Sequence, residues 1–526
     1  MTLPTETRVL IVGAGPAGLT LANLLGTEGV PTLLVERNPG CVPEPRAVAI
    51  DGESLRTLQA AGLAETVCAS IKQGFKADYI NGDGVQLFTT DLTARPYGYC
   101  LQNSFDQPTL ERQLLDGLAR FSCVTVAHNI ELAEFAQDDN GVTAAMRTAE
   151  GTEHSVRTDY MVGCDGGRSS IRQSLGIAMV GDRLPQKWLV VDTVDTHLGE
   201  EPSCRFYCDP RRPAMTIIRP GSERRWEWML VGDESEEDML SDDRINALLA
   251  EHTNPEQVDV YRKCVYSFSA VVAERFSEGR VFLAGDAAHM TPPFAGQGLN
   301  AGIRDVRNLS WKLAQVVQGA LPQGLLGTYN LERREAAKSV VDLAVGLGDQ
   351  IQPTDAQAAA ERDAFFAELN TDPVQAAGFA AETVAPLSDV RLSEGWFVEG
   401  GTGGRMLPQP EVTGSNGPVL LDALLGTGFT ALLTGGNQLP AHVSGHPLWQ
   451  SLSPSLCYMD DVVGALPASS LAEFTNSDSA GITLLRPDRF VLAQIAPGAD
   501  ASTSLDRLQE MLVIQDAKPG AVGMEA

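Results

Sequence analysis

Apolar positions along the chain alternate between strand-like and helix-like spacing. Val9 to Val12 form a short apolar run, Leu19, Leu21, Leu24 and Leu25 follow at helical spacing, and "PTLLVE" is a second apolar run ending in Glu36. This order predicts strand, tight turn, helix, strand. In "DYMVGCDGGRSSIRQSLGI" (159–177) a strand over Tyr160–Cys164 precedes the turn Asp165-Gly166 and a helix from near Ser169. "RVFLAGDAAHMTPP" predicts a strand over Val281–Ala284 with Gly285 and Asp286 at its end. The following "GLNAGIRDVRNLSWKLAQVV" is an amphipathic helix with Leu299, Ile303, Val306, Leu309, Leu313 and Val316 on one face. Between residues 178 and 278, "KWLVVDTVD", "CRFYCDPRRPAMTIIRPG" and "RRWEWMLVGDES" are strand-like and predict a mostly antiparallel sheet. "GTYNLERREAAKSVVDLAVGLGDQI" and "DAQAAAERDAFFAELN" read as helices. The Gly- and Pro-rich stretch 399–418 reads as a linker, and "TALLTGG", "PLWQSL" and "GITLLRPDRFVLAQIA" beyond it as a small α/β domain.

At 526 residues the chain is too long for one core, and its 43 % apolar content is that of a soluble globular protein. A formal net charge of −29, with no Lys/Arg cluster, argues against nucleic-acid binding. The nine cysteines are scattered, so reduced thiols in a cytoplasmic protein are expected. Cys204 and Cys208 are a near pair with no further ligand close by, and no metal site is expected. "MTLPTETRVLIVG" enters a strand pattern without a signal peptide, and no apolar run approaches the roughly 18 residues of a membrane span.

The glycines carry the first chemistry. Gly13, Gly15 and Gly18 fall in the G-x-G-x-x-G spacing between a strand and a helix. Gly13 permits the turn, Gly15 lets a pyrophosphate approach the backbone, and Gly18 lets helix and strand pack closely. The helix start, with Pro16 and Ala17, offers N–H groups to phosphates, and Glu36 can accept hydrogen bonds from a ribose. Arg37 suits either a 2′-phosphate or stacking over adenine, so the segment itself leaves FAD and NAD(P) open. In the third segment Asp286 can hold ribityl hydroxyls. Pro292 and Pro293 keep the chain extended, and Gly296 and Gly298 permit close approach ahead of a helix whose positive end faces a reduced flavin.

These three motifs in this order resemble the class A flavoprotein monooxygenases, the aromatic hydroxylases of the p-hydroxybenzoate hydroxylase group. The matches are Gly13/Gly15/Gly18, Asp165-Gly166 and Gly285-Asp286, and the resemblance covers roughly residues 7 to 350. It implies an α/β fold: a Rossmann-type FAD-binding domain (1–177 and 279–398), an inserted antiparallel substrate domain (178–278), the linker (399–418) and a thioredoxin-like C-terminal domain (419–526). It implies FAD held by Gly13, Gly15, Pro16, Ala17, Gly18, Glu36, Arg37, Asp165, Gly285, Asp286, Pro293, Gly296, Gln297, Gly298, Leu299 and Asn300. "PEPRAVAID" matches the family's arginine segment, which puts Arg46 beside the flavin in a catalytic role, and "FDQPTLERQLLDGL" makes Gln107 a cofactor ligand. NAD(P)H is then a transient reductant without a domain of its own. The implied reaction transfers one atom of O2 to a phenolic ring through a flavin C4a-hydroperoxide. The stretch "YCDPRRPAMTIIRPGSERRWEWMLVGDESEE" and the tail look most like 3-(3-hydroxyphenyl)propionate hydroxylases, while polyketide hydroxylases of antibiotic pathways share the same motifs. A homodimer is a further expectation of the resemblance.

Some readings are set aside. "RWEWML" lacks the Ile-Pro of the halogenase W-x-W-x-I-P signature, so Trp226 and Trp228 are read as packing or pocket-lining residues on one face of a strand. His289 is read as a structural partner of the Gly285-Asp286 loop. The tail has no C-x-x-C, which removes thioredoxin's redox chemistry. A non-oxygenating FAD reductase of the same fold, a flavin-binding scaffold and a plain NAD(P) dehydrogenase are the rivals. The last lacks its catalytic constellation.

Overall fold

The computed structural model describes residues 3–195, 203–414, 417–434, 439–459, 468–475, 481–495 and 501–516. The first apolar runs become neighbours in an eight-stranded sheet. Strand Glu6–Val12 lies between Thr32–Glu36 and Glu153–Gly163, parallel to both, and Val281–Leu283 adds in parallel beyond Glu153–Gly163. The carboxyl-terminal halves of Glu6–Val12 and Glu153–Gly163, and nearly all of Thr32–Glu36 and Val281–Leu283, are buried, as parallel strands covered by helices must be. Their carboxyl ends carry the three motifs side by side, the edge where open α/β sheets bind ligands.

A second eight-stranded sheet is built around two long antiparallel partners, Met179–Asp195 and Val258–Ala273. The expected strands Ser203–Cys208, Ala214–Arg219 and Glu223–Met229 follow in order. The sheet reaches beyond 178–278, because Lys76–Asn81 pairs in parallel with Ser203–Cys208 and brings Gln86–Asp91 with it. Strand alternation sends Trp226 and Trp228 to the outer face, against Leu248 and Leu249 of the helix Asp242–Ala250. They pack there and are not among the residues that line the cavity beside Pro293–Gly296. The intervening Arg225 and Glu227 point inward.

The last sheet has four strands in the order Ser455–Tyr458, Thr430–Leu433, Ile482–Leu485, Val491–Ile495. Its first pair is parallel and the other two antiparallel. The stretch expected to be a linker is ordered: Glu411–Gly414 and Gly417–Leu420 form a hairpin, and Val412 and Leu421 are buried.

Helix Gly298–Val317 departs most from its sequence reading. The predicted apolar face is present, with Ile303, Val306, Leu309 and Leu313 fully buried, but so are Arg304, Asp305 and Lys312 on the other faces. The C-terminal unit covers that side: Trp311 joins Leu321 and Leu325 in one core with Trp396, Phe429 and Leu492. The buried charges are paired. Lys312 Nζ donates to Glu332 (2.8 Å), which also accepts from both terminal nitrogens of Arg486 (2.9 and 2.8 Å). All nine cysteines are free thiols. Among the described residues there is no cluster of metal-ligating side chains, and no helix is long and apolar enough to cross a membrane.

Candidate active site

The glycine turn closes on the second motif. Gly13 has φ +107°, and a Cβ there would stand 2.3 Å from the Cys164 carbonyl oxygen; one on Gly18 would stand 2.0 Å from the Gly13 carbonyl. Only hydrogen fits at either place. Gly15, by contrast, faces open space and starts helix Pro16–Thr27 with no side-chain cap, so the first N–H groups point outward unpaired by side chains. That is a cradle a pyrophosphate fits. Glu36 Oε2 accepts from the Ala14 N–H (2.9 Å), and Oε1 accepts from the Asn38 backbone N–H and side-chain amide (2.9 and 2.6 Å). The acid thus fixes the turn at the place expected for a ribose. Arg37 is exposed beside it.

The third motif joins the same edge. Ala284 N–H donates to the Gly163 carbonyl (3.0 Å), and a Cβ on Gly285 would meet the Ala17 Cβ at 3.3 Å. Helices Pro16–Thr27 and Gly298–Val317 therefore aim their N-termini at one region. Asp165 Oδ2 accepts from the Ile171 N–H (3.3 Å), while its Oδ1 is buried without a partner, an acceptor suited to a cofactor hydroxyl. Asp286 keeps an exposed surface although protein surrounds it closely, and burial among that mass pushes its carboxyl above the usual range against the pull of His289 and Arg46.

His289 holds the loop from beneath, as the sequence reading expects. Its Nε2 lies 2.7 Å from Asp305 Oδ2, which also accepts from the Gly285 N–H (3.0 Å), and Arg333 Nε donates to Asp305 Oδ1 (2.9 Å). Burial works against the Asp305 charge, yet His289 and Arg333 hold its carboxyl below the ordinary range. Beyond Pro292 the chain does not remain extended as predicted. Pro293–Ala295 turns as a 3-10 helix, and Gly296 at φ +62° reverses it into the helix. Gln297 Oε1 accepts from Arg304 Nη1 (2.8 Å), and its Nε2 is buried and unpaired. Asn300 accepts from the Asp51 N–H (3.0 Å) and Ser54 (2.8 Å) and donates to the Gly296 carbonyl (2.8 Å). Its side chain is committed to the scaffold, so only backbone groups of Gly298, Leu299 and Asn300 can face a flavin.

Arg46 stands exposed on a loop clamped from two sides. Gln107 Oε1 accepts from the Arg46 and Ala47 N–H groups (3.2 and 2.7 Å). Arg225 donates to the Pro45 and Arg46 carbonyls (2.7 and 2.6 Å) while its Nε and Nη2 both bond Asp192 (2.7 and 2.9 Å). Gln107 is thus bound to the arginine loop, a partner the sequence reading did not give it. Arg225 and Asp192 were missed altogether; the signal was the inward register of Arg225 between two outward residues of "RRWEW".

Next to Pro293–Gly296 lies a cavity of about 640 Å³, counting its mouth. The inner sheet face (Met215, Ile217), the helix Gly324–Ile351 (Leu343, Leu347) and the helix Pro373–Ser388 (Leu387) wall it.

The FAD binding domain family matches residues 6–344, and the HcaD C-terminal domain family matches residues 404–511. The chain is 38% identical over 517 residues to the 3-(3-hydroxy-phenyl)propionate/3-hydroxycinnamic acid hydroxylase of Burkholderia cenocepacia, covering 93% of this chain and 94% of that one. Among solved structures it is similar to aklavinone-11 hydroxylase in complex with FAD and aklavinone (TM-score 0.78, 27% identity, 98% and 100% of the two chains). The flavin-dependent monooxygenase PieE, at 22% identity and TM-score 0.80 over 97% and 100% of the chains, shares the fold. With the three motifs gathered on one sheet edge beside an apolar cavity, the chain belongs to the FAD binding domain family of flavin monooxygenases and is one of its FAD-dependent aromatic hydroxylases, with NAD(P)H as reductant.

Proposed function

We propose that this protein hydroxylates the ring of a phenolic substrate built on the 3-(3-hydroxyphenyl)propionate skeleton named for its relatives. One oxygen atom of O2 enters a ring C–H bond, the other leaves as water, and NAD(P)H supplies the two electrons. The observation that carries this is the juxtaposition of the Pro293–Gly296 turn with the apolar cavity. FAD, when bound, supplies the oxygen activation. The chain's part is to bind, orient and exclude water. Gly13, Gly15, Pro16, Ala17 and Gly18 would take the pyrophosphate; Glu36 and Arg37 the adenosine end. Asp165 and Asp286 would accept from the hydroxyls of the ribityl chain. Backbone N–H groups at Gly298–Asn300 favour negative charge at the ring. Arg46, on its doubly clamped loop, offers a mobile cation beside Asp286. The inserted sheet serves as substrate domain, the tail as a thioredoxin-like structural domain, and the enzyme works in the cytoplasm as a homodimer.

A polycyclic phenol is the second reading, favoured by the likeness to aklavinone-11 hydroxylase. The test is a panel of monocyclic and polycyclic phenols scored by hydroxylated product as well as NAD(P)H and O2 consumption. Product formation with one of them is expected. Reductant oxidation that yields only peroxide with every phenol would leave the non-oxygenating reductase standing.

A further inference from the structure

The cavity beside the Pro293–Gly296 turn is chemically one-sided. Among the described residues that line it there is no Lys, Arg, His, Asp or Glu. The arginines nearest in the sheet are already engaged. Arg225 is held by Asp192 and two carbonyls, and Arg219 donates to Asp106 (2.6 Å) and pairs with Glu223 (3.0 Å). A carboxylate carried into this space would lose its water without gaining a cation, which is unfavourable by far more than any neutral polar group's loss.

One lining group is nevertheless short of a partner. Gln102 is 3% exposed and its Oε1 has no hydrogen-bond donor. The orientation of its amide is set, because Nε2 donates to the Ala295 carbonyl (3.3 Å), leaving the oxygen as the free end. Gln102 neighbours Gly296 in the turn that faces the flavin position, so an acceptor stands where the reacting ring must lie.

We propose that this site selects phenols whose other substituents are uncharged, with Gln102 Oε1 accepting the phenolic O–H. This rests on the ring-hydroxylation reading above and narrows it: the propanoid skeleton is accepted with a neutral side chain and the free acid is disfavoured.

The experiment uses the FAD-loaded full chain and a matched pair, 3-(3-hydroxyphenyl)propionate and 3-(3-hydroxyphenyl)propan-1-ol. Binding is read from the perturbed flavin absorbance and turnover from identified product. The alcohol is expected to bind and turn over with roughly tenfold or greater advantage in Kd and kcat/KM, and Gln102→Met, at unchanged flavin content, to cut that kcat/KM about tenfold. Because binding is measured directly, the pair stays informative even if neither compound is hydroxylated, in which case the reaction assignment fails and the selectivity is still read. Equal or tighter binding of the acid overturns the proposal. So does an acid preference that disappears in Arg46→Ala, which would assign the carboxylate to that side chain. If Gln102→Met leaves the alcohol's constants unchanged, the phenol contact is wrong.

Discussion

Asp286 combines two properties that rarely coincide: an exposed carboxylate and a raised tendency to hold its proton, pushed by burial and opposed by His289 and Arg46. A side chain so placed gains from hydroxyl donors of a ligand more than a surface aspartate does. Asp286→Ala is expected to weaken FAD roughly tenfold to a hundredfold, read as flavin retained after gel filtration and by titration of the apoprotein. Unchanged flavin content would remove this residue from the site. The residues proposed for the flavin seat could be picked out in the sequence because their requirements are local: a turn with no room for a side chain at Gly13, an acid at the end of a strand at Glu36. Gln102 and Arg225 were not legible. The register of "RRWEW" turns Arg225 inward, but each residue matters through partners far away in the chain, the Ala295 and Arg46 carbonyls, which no local pattern identifies.

Among the elements, helix Gly298–Val317 shows where periodicity stops being informative. Its apolar stripe predicts one buried face, yet Lys312 is buried because a second unit covers the other side. The Glu332 carboxylate, on the neighbouring helix Gly324–Ile351, binds Lys312, Asn308, Arg486 and the Trp396 N–H at once. Burial raises its proton affinity, but Arg486 and Lys312 outweigh that and hold it down from 4.5 to about 2. A depressed folded value means that the unfolded chain takes up the proton first. The stabilisation is therefore complete above the ordinary carboxylate range and drains away as pH falls from there toward about 2. Denaturant titrations of the holoenzyme across that range should show this slope, flattened in Glu332→Gln. Glu332→Ala should cost about 3–5 kcal/mol at neutral pH, because it leaves the buried Lys312 without its carboxylate and Arg486 with Asp488 alone. A loss of less than about 1 kcal/mol would mean the network is not a support.

On the scale of the whole molecule, a net charge of −29 coexists with a cavity that has no charged residue among the described residues lining it. The acidity is a property of the outer surface and of paired clusters. Fold class and the order of the flavin motifs follow from short-range patterns, whereas the cavity is assembled from segments more than 300 residues apart, from Val48 to Leu387. No window of sequence contains it. The same dispersal governs the tail. A chain ending at residue 403 loses Arg486, Phe429 and Leu492 and exposes Trp311, Leu321 and Leu325. Expressed alone, it is expected to aggregate, and a stable, flavin-loaded fragment would contradict the shared core.

Exchange of parts between relatives is constrained accordingly. A graft that brings a foreign carboxyl-terminal third must also bring a guanidinium to the depth now occupied by Arg486, or it strands the acid it was meant to meet. Inheritance of the two halves is thus coupled through buried pairs, Arg486 with Glu332 and Arg56 with Asp422 among them, and chimeras should succeed or fail according to whether such partners cross over together.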